Sequence, residues 1–137
     1  MSFWFEQHTA DVTVAARSDS LGGVFAELAR AVTHVMTEDT VREVSSHEIH
    51  VVAESLEALL FDFLAHLIFL LDTEALFVSS AQLQVTRQGA DWVVSGVVRG
   101  DVASAYEHAG DVKAPTYNRL EVVEESGGWL ARATLDL

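Results

Sequence analysis

The sequence predicts an α+β fold in which two helices pack on a largely antiparallel sheet, as one two-layer domain over residues 1–137. Two segments carry apolar residues at helical spacing, and each follows a segment with strand-like alternation. Only strand patterns and turns follow the second helix. A chain of 137 residues, 50% of them hydrophobic, is long enough to bury one core.

The first strand and helix are predicted within residues 11–36. Apolar and polar residues alternate along DVTVAAR, which is typical of a half-buried strand. Ser20 can cap a helix, and one apolar stripe follows at spacings of three and four residues as far as Met36. Gly22 and Gly23 weaken the first turn by roughly 1 kcal/mol each relative to Ala. They therefore indicate either close packing or a loosened helix start.

The second helix is predicted to follow a strand at 48–54, with Ser55 as its cap. Its apolar run, residues 56–71, is about four residues too short for a membrane span and carries Asp62 and His66. We therefore expect a helix buried in the middle of the domain, under a sheet. The later strands are predicted at 76–87, 92–100, 111–124 and 129–136, with QGAD and SGG as hairpin turns.

The charge is strongly negative, at −13, and Lys113 is the sole lysine. Direct nucleic-acid binding is disfavoured, because phosphate contacts draw on clustered Lys and Arg. The acid excess fits either a face that docks on a basic partner or a solvated coat typical of high-salt cytoplasm, and we favour the coat. The absence of cysteine excludes thiolate chemistry, and the N-terminus lacks the pattern of a signal peptide. We expect a cytoplasmic protein with no membrane partner.

Three aspartates lie at predicted element boundaries, where distant parts of a chain can converge. Asp11 opens the first strand, Asp39 follows the first helix and Asp136 ends the last strand. Two carboxylates about 4 Å apart repel by roughly 4 kcal/mol at an effective dielectric of 20, and a bound cation would reverse that penalty. Oxygen ligands suit Ca²⁺, Mg²⁺ or Mn²⁺. From the residues alone, separate structural roles for the three aspartates are favoured over a shared site.

The histidines show no metal-binding or catalytic spacing. His8 is the exception, since it precedes Asp11 by three residues and could orient that carboxylate. Surface or hydrogen-bonded core positions are expected for His34, His47, His50 and His66.

Several stretches together resemble the archease family. The likeness covers most of the chain, in the family's order, and is carried by HTADVTV at 8–14, SLGGVFAELARAVTHVMTED at 20–39, ESLEALLFDFLAHLIFLLD at 54–72, GDVASAYEHAGDVKAPTYNRLEV at 100–122 and the ending WLARATLDL. Each motif alone is weak, whereas the combination is fairly specific.

The resemblance implies a small, non-enzymatic accessory protein that activates the GTP-dependent RNA ligase of tRNA splicing, promoting its guanylylation and multiple turnover. An alternative role implied by the family is chaperone-like modulation of a tRNA cytosine methyltransferase. The family's metal site maps onto Asp11, Asp39 and Asp136, with Leu137 supplying its terminal carboxylate. The expected cofactor is a divalent hard cation, Ca²⁺, Mg²⁺ or Mn²⁺.

The chain departs from the family pattern at three positions. The family usually has an acidic residue where this chain has His66, and its late block commonly reads VKAxTYH where this chain has Pro115 and Asn118. Because proline lacks an N–H, we expect an edge strand or a bulge at Pro115.

Three hypotheses thus follow from the sequence. The first is the metal-binding activator of the ligase. The second is the chaperone-like modulator, for which exposed apolar residues such as Trp4 or Phe77 would matter more than the metal. The third, a small hydrolase that uses the same carboxylates to activate water, is the least favoured.

Overall fold

The structure is a computed structural model that describes residues 1–7 and 10–137. Its elements run in the order β1 (Ser2–Gln7), β2 (Asp11–Ser18), α1 (Leu21–Met36), β3 (Ser45–Ala53), α2 (Leu56–Glu74), β4 (Leu76–Gln88), β5 (Asp91–Val102), a short 3₁₀ turn (Ala103–Ala105), β6 (Ala114–Glu125) and β7 (Gly128–Asp136). The predicted α+β class with two helices is confirmed.

The strands form two antiparallel sheets, where the sequence pattern suggested one. The four-stranded sheet has the order β1-β2-β7-β6, and the three-stranded sheet has the order β3-β5-β4. Strand β1 was not predicted from the sequence. It pairs with β2 from Ser2 opposite Arg17 to Gln7 opposite Val12, and such a pairing leaves little trace in a single short segment.

Local signals placed the helices correctly. The Ser20 hydroxyl accepts a hydrogen bond from the Gly23 N–H at 3.0 Å, and Ser55 accepts one from Ala58 at 3.1 Å. Gly22 permits close packing, because a Cβ there would lie 2.1 Å from the carbonyl oxygen of Leu83 on β4. Helix α1 therefore approaches the three-stranded sheet through its own backbone.

The turns and the proline also follow the prediction. Both hairpins turn through residues with positive φ, Gly89 in the first and Ser126 and Gly127 in the second. Pro115 lies on β6, which is an edge strand, and the register of β6 on β7 shifts between Thr116 and Glu121. Pro115 itself still pairs in register with Leu135, so the edge position is what accommodates a residue without an N–H, and the bulge begins after Thr116.

The core joins both helices to both sheets. Phe25 of α1 and Phe63 of α2 are fully buried, with ring centroids 5.5 Å apart. They belong to one cluster with residues such as Val14 of β2 and Val94 of β5. In the part of the chain that the structure describes, no helix is both long and apolar enough to cross a membrane.

Two expectations about burial need correction. Phe77 is fully buried and packs against His108, with ring centroids 5.1 Å apart, so it is not an exposed contact residue. Helix α2 is less enclosed than its composition suggested, because Phe69 on its outer side is 57% exposed. In both cases the burial of the side chain depends on which other elements pack over it, and the pattern of its own segment does not reveal this.

Candidate metal centre

The antiparallel pairing of β2 with β7 brings two of the four predicted site residues together. Asp11 and Asp136 are direct partners in the register, so their side chains leave the same face of the sheet. Residues directly opposite each other have Cβ atoms about 5 Å apart, and like charges at such positions destabilise the pair. Next along this face, the hydroxyls of Thr13 and Thr134 share a buried hydrogen bond of 2.9 Å. This neutral pair leaves the two carboxylates as the charged end of the ladder.

One oxygen of the pair is withdrawn from water. Among the described residues, the Oδ1 atom of Asp11 is buried and has no hydrogen-bond partner, whereas Asp136 is exposed. Burying an unpaired carboxylate oxygen costs free energy that a hydrogen-bond donor or a cation would offset. The donor set therefore fits a hard divalent cation. The orienting role predicted for His8 lies outside the described residues.

Leu137 continues the strand pairing one residue beyond β7. Its N–H donates to the carbonyl of Ala10 at 3.2 Å, which keeps residue 137 beside the start of β2. Leu137 also lines a cavity of about 410 Å³, together with His34, Glu38 and Asp111. Further acidic groups thus lie near this end of the sheet.

Asp39 is joined to the pair through one segment, residues 107–113. Its Oδ2 atom accepts a hydrogen bond from the Glu107 N–H at 3.0 Å. The segment then bonds to the end of α1, where the Ala109 N–H donates to Met36 at 2.7 Å, and to β7, where the Lys113 N–H donates to the Asp136 carbonyl at 2.9 Å. Asp39 is therefore tied by the backbone to the segment that also bonds to Asp136.

The four predicted ligands are brought together only in part. Asp11 and Asp136 are paired, Leu137 lies beside them and Asp39 is connected through residues 107–113. Within residues 1–7 and 10–137, no three His, Asp or Glu side chains lie close enough to hold a metal ion. The paired carboxylates are the nucleus of the candidate site.

A buried acidic group that the sequence reasoning missed supports this end of the molecule. Asp101 accepts a hydrogen bond from the Tyr106 hydroxyl at 2.7 Å, and that hydroxyl accepts one from the backbone N–H of Arg42 at 2.9 Å. The Tyr106 hydrogen bond, with another from the Val102 N–H, holds the pKa of Asp101 below its usual value, and the same hydroxyl raises the pKa of Arg42. We call Arg42, Asp101 and Tyr106 the clasp.

The clasp joins the chain just after Asp39 to the residue just before Glu107, the hydrogen-bond partner of Asp39. Arg42 follows Asp39 by three residues, and Tyr106 immediately precedes Glu107, whose N–H binds the Asp39 carboxylate. No sequence spacing signals this contact, because 64 residues separate Arg42 from Tyr106. The clasp is therefore a positioning element for Asp39.

The arginines of the four-stranded sheet are used elsewhere. Glu6 forms ion pairs with Arg119 at 3.1 Å and with Arg132 at 3.9 Å. The hydrogen bond from Arg119 is the main reason that the pKa of Glu6 is lowered. Arg132, which also pairs with Glu121, precedes Asp136 by four residues on the same strand. The charge of Arg132 is therefore already paired with Glu121 and Glu6.

The structure describes all four histidines for which surface or hydrogen-bonded positions were expected: His47 is half-buried, with Nε2 3.4 Å from the Ser45 hydroxyl, and His50 is exposed. His34 is hydrogen bonded, with Nδ1 3.3 Å from the Thr37 carbonyl, and stacks on Phe3. His66 is half-buried and stacks on Phe69, at a ring separation of 6.0 Å. His34, His47 and His50 fit the expected surface or hydrogen-bonded roles, whereas the contact of half-buried His66 is an aromatic stack.

Fold and site together define a small α+β protein with a carboxylate pair where its two central strands meet. The sequence model of the archease protein family matches residues 3–137. The chain belongs to the archease family.

Individual relatives agree with this assignment. The chain is 30% identical to protein archease of Methanothermobacter thermautotrophicus, over 98% of each chain. A solution structure from Methanobacterium thermoautotrophicum superposes with a TM-score of 0.82 at 29% identity, covering 99% of each chain. The crystal structure of a Thermotoga maritima archease shares the fold at a TM-score of 0.59 and 19% identity, covering 96% of this chain and 94% of that one.

Proposed function

We propose that this protein is a metal-binding accessory factor that activates the GTP-dependent RNA ligase of tRNA splicing, promoting its guanylylation and multiple turnover. The observation that carries the metal-binding part is the Asp11–Asp136 pair, with its buried carboxylate oxygen lacking a partner among the described residues. Membership in the archease family supports the ligase as the partner. The protein acts as an accessory factor, without catalysing a reaction itself.

The proposed ligands are Asp11, Asp136 and Asp39, with the carboxylate of Leu137 completing the set. Asp39 contributes through Oδ1, since Oδ2 already accepts the Glu107 N–H. A divalent cation held by these oxygens would supply positive charge for phosphate groups gathered at the ligase. The chain's own part is to hold the carboxylates in place through the β2–β7 register and the clasp, so that little is left to reorganise on docking.

Metal binding is tested by thermal unfolding with and without CaCl₂, MgCl₂ or MnCl₂ at matched ionic strength. A ligand bound only by the folded state stabilises it by roughly 2.7 kcal/mol at a hundredfold excess over Kd. Asp136→Asn should abolish the increase in melting temperature. Asp72→Asn, which removes the same charge from an exposed position on α2, is the matched control and should respond like wild type. Equal responses of all three proteins would mean general charge screening and would remove the site.

The contribution of Leu137 is tested by comparing a protein that ends at this residue with one extended beyond it. An extension converts the carboxylate to a peptide carbonyl and removes one charge from the ligand set. We expect calorimetry to show weaker metal binding for the extended protein and unchanged binding for one extended at the N-terminus. Identical affinities would exclude Leu137 as a ligand.

Ligase activation is tested with the cognate ligase, GTP and tRNA halves, at ligase concentrations well below those of the RNA. Wild type should produce many turnovers and more ligase–GMP intermediate, and the Asp11→Asn/Asp136→Asn variant should lose most of that gain. If this variant activates as well as wild type, docking alone explains the activation. A screen of phosphoester substrates with the protein alone tests the hydrolase alternative.

A second candidate is the chaperone-like modulator of a tRNA cytosine methyltransferase. The Thermotoga maritima archease is described as a possible chaperone, and exposed aromatic side chains such as Phe69 and Tyr117 provide apolar contact area here. Co-purification separates the two candidates: recovery of the ligase favours the first, and recovery of the methyltransferase favours the second.

A further inference from the structure

Helix α2 and the bulge of β6 together expose a row of aromatic rings. Phe69 is 57% exposed and Tyr117 is 69% exposed. The ring of Tyr117 stacks on half-buried Phe61, with centroids 4.1 Å apart and an interplanar angle of 2°. We call Phe61, Phe69 and Tyr117 the aromatic face.

The aromatic face is continuous along the helix. Phe61 and Phe69 are eight residues apart with Ala65 midway, so all three lie on one stripe about 12 Å long. The Phe61–Tyr117 stack extends the stripe sideways onto β6 and restrains a side chain that would otherwise be free in water. Exposed, ordered aromatic rings of this kind mark interaction sites.

The charges that α2 contributes beside the aromatic face have one sign, and Arg119, two residues beyond Tyr117 on β6, is already paired with Glu6 at 3.1 Å. No lysine or arginine occurs between Arg42 and Arg87, whereas that stretch has seven acidic residues. Three of them, Asp62, Asp72 and Glu74, lie on α2 itself and are exposed. The rings are therefore bordered by negative charge.

We propose that the aromatic face docks a protein surface that carries arginine or lysine side chains around an apolar centre. The apolar centre would cover Phe69 and Tyr117, and the cations would pair with Asp62 and Asp72 or stack on the rings. Nucleic acid and anionic membranes carry the same sign of charge as this face, and so does a second copy of the chain at −13. Charge complementarity therefore selects a cationic protein partner.

This surface goes beyond the proposed function because it uses none of the metal ligands. It is nevertheless close to them along the chain: Ala114 of β6 pairs with Asp136, and Tyr117 follows three residues later, about 10 Å along the strand. One partner could contact both regions, with the aromatic face as an anchor that does not depend on metal.

The experiment uses two synthetic peptides of about 18 residues, or five helical turns, built from the same leucines and arginines. One has the amphipathic order and the other is scrambled, and binding of each to the full chain is measured by calorimetry. Wild type should prefer the amphipathic peptide by about tenfold or more, as expected for a hot-spot contact. Phe69→Ser/Tyr117→Ser should lose that preference. The control Val44→Ser/Val52→Ser, which removes two other exposed apolar side chains, should keep it.

Two further variants separate this proposal from its neighbours. Asp62→Asn/Asp72→Asn should weaken binding of both peptides and reduce its salt dependence. Asp11→Asn/Asp136→Asn should keep the peptide preference while losing metal binding, so that failure of the metal site and failure of the docking surface are distinguishable.

Three results would overturn the proposal. The first is equal affinity of wild type for the two peptides, which would reduce the effect to net charge. The second is an undiminished preference in Phe69→Ser/Tyr117→Ser. The third is self-association of wild type in sedimentation, or binding to lipid vesicles, that disappears in this same variant, since either would assign the face to another occupant.

Discussion

Helix α1 is the more polar of the two helices, yet it is the more deeply buried one. Helix α2 is apolar on nearly every side and yet leaves Phe69 in water, whereas α1 carries polar residues and buries even Glu27 and Thr33 to 6% and 3% exposure. The burial of a helix is therefore set by the elements that pack around it, and its own composition does not predict it. Both helices contact both sheets, but β1 also covers α1, while the outer side of α2 at Phe69 has no described element over it.

The cover over α1 comes from two contacts whose partners its sequence does not reveal, although the glycines at its start indicated close packing as one alternative. Gly22 brings its backbone against Leu83 of β4. On another side, Phe3 of β1 stacks on His34 and lies under the guanidinium of Arg30, 5.6 Å from the ring centroid. Helix α1, whose end lies near the carboxylate site, is thus held by more contacts than α2. The outer side of α2 is left available as a docking surface.

The largest effect is expected where both helices are equally buried. Phe25→Ala and Phe63→Ala should each lower the free energy of unfolding by about 3–5 kcal/mol, because each leaves a cavity between fully buried rings. Phe69→Ala is the control on the exposed side of α2 and should stay within about 0.5 kcal/mol. Urea unfolding gives all three values, and a cost for Phe69→Ala like that of Phe63→Ala would contradict the difference described above.

The close approach of α1 to β4 is tested by substitutions at the second residue of each helix. Gly22→Ala should destabilise by about 1–3 kcal/mol, since the new Cβ meets the Leu83 carbonyl, although alanine is the better helix former. Glu57→Ala removes an acidic residue from the first turn of α2 and should cost only about 0.3–1 kcal/mol. Stabilisation by Gly22→Ala in chemical denaturation would show that α1 can move away from β4.

The clasp predicts that the stability of the protein depends on pH. Asp101 has a lowered pKa in the folded state, so its contribution to stability is complete above the ordinary value of about 3.9 and is lost as the pH falls through the lowered one. Tyr106→Phe removes the hydrogen bond that is the main cause. The variant should be less stable than wild type at neutral pH, and the difference in stability should narrow as the pH falls below about 4, through the lowered pKa of Asp101. Unfolding measured across this pH range tests the direction of the change. A difference in stability that stays constant would mean that the Tyr106 hydroxyl does not favour the ionised form of Asp101 over the neutral form.

The same variant also tests the positioning of Asp39. Calcium affinity should fall for Tyr106→Phe, but Tyr106→Phe should have no further effect in the Asp39→Asn background, because both changes act through one ligand. Independent, additive losses would place the clasp outside the metal site.

The smallest expected effect concerns the end of α2, which lacks a clasp. Ala75 caps this helix in the left-handed region, with φ of 51°, a conformation that favours glycine. Ala75→Gly should therefore stabilise the protein by about 0.5–1 kcal/mol. Ala65→Gly, the same change in the middle of the helix, should cost about 1 kcal/mol. If both substitutions destabilise equally, the strain at Ala75 is negligible.

Features that depend on neighbouring residues in the chain could be predicted from the sequence. The serine caps, the apolar stripe of α1, the two hairpin turns and the edge position of Pro115 all follow from a few consecutive residues, whose backbone preferences and hydrogen bonds are local. The family resemblance rested on such stretches too, and it was confirmed.

The tertiary structure alone decided what depends on residues far apart. It divided the strands between two sheets, added β1, buried Phe77 and paired Asp11 with Asp136 across 125 positions of the chain. It also built the clasp from Arg42, Asp101 and Tyr106. Sheet register and side-chain cover are set by which strands meet, and a single sequence carries no period that encodes such a meeting. Three aspartates at element ends were therefore visible from the start, but only the β2–β7 register could make two of them neighbours.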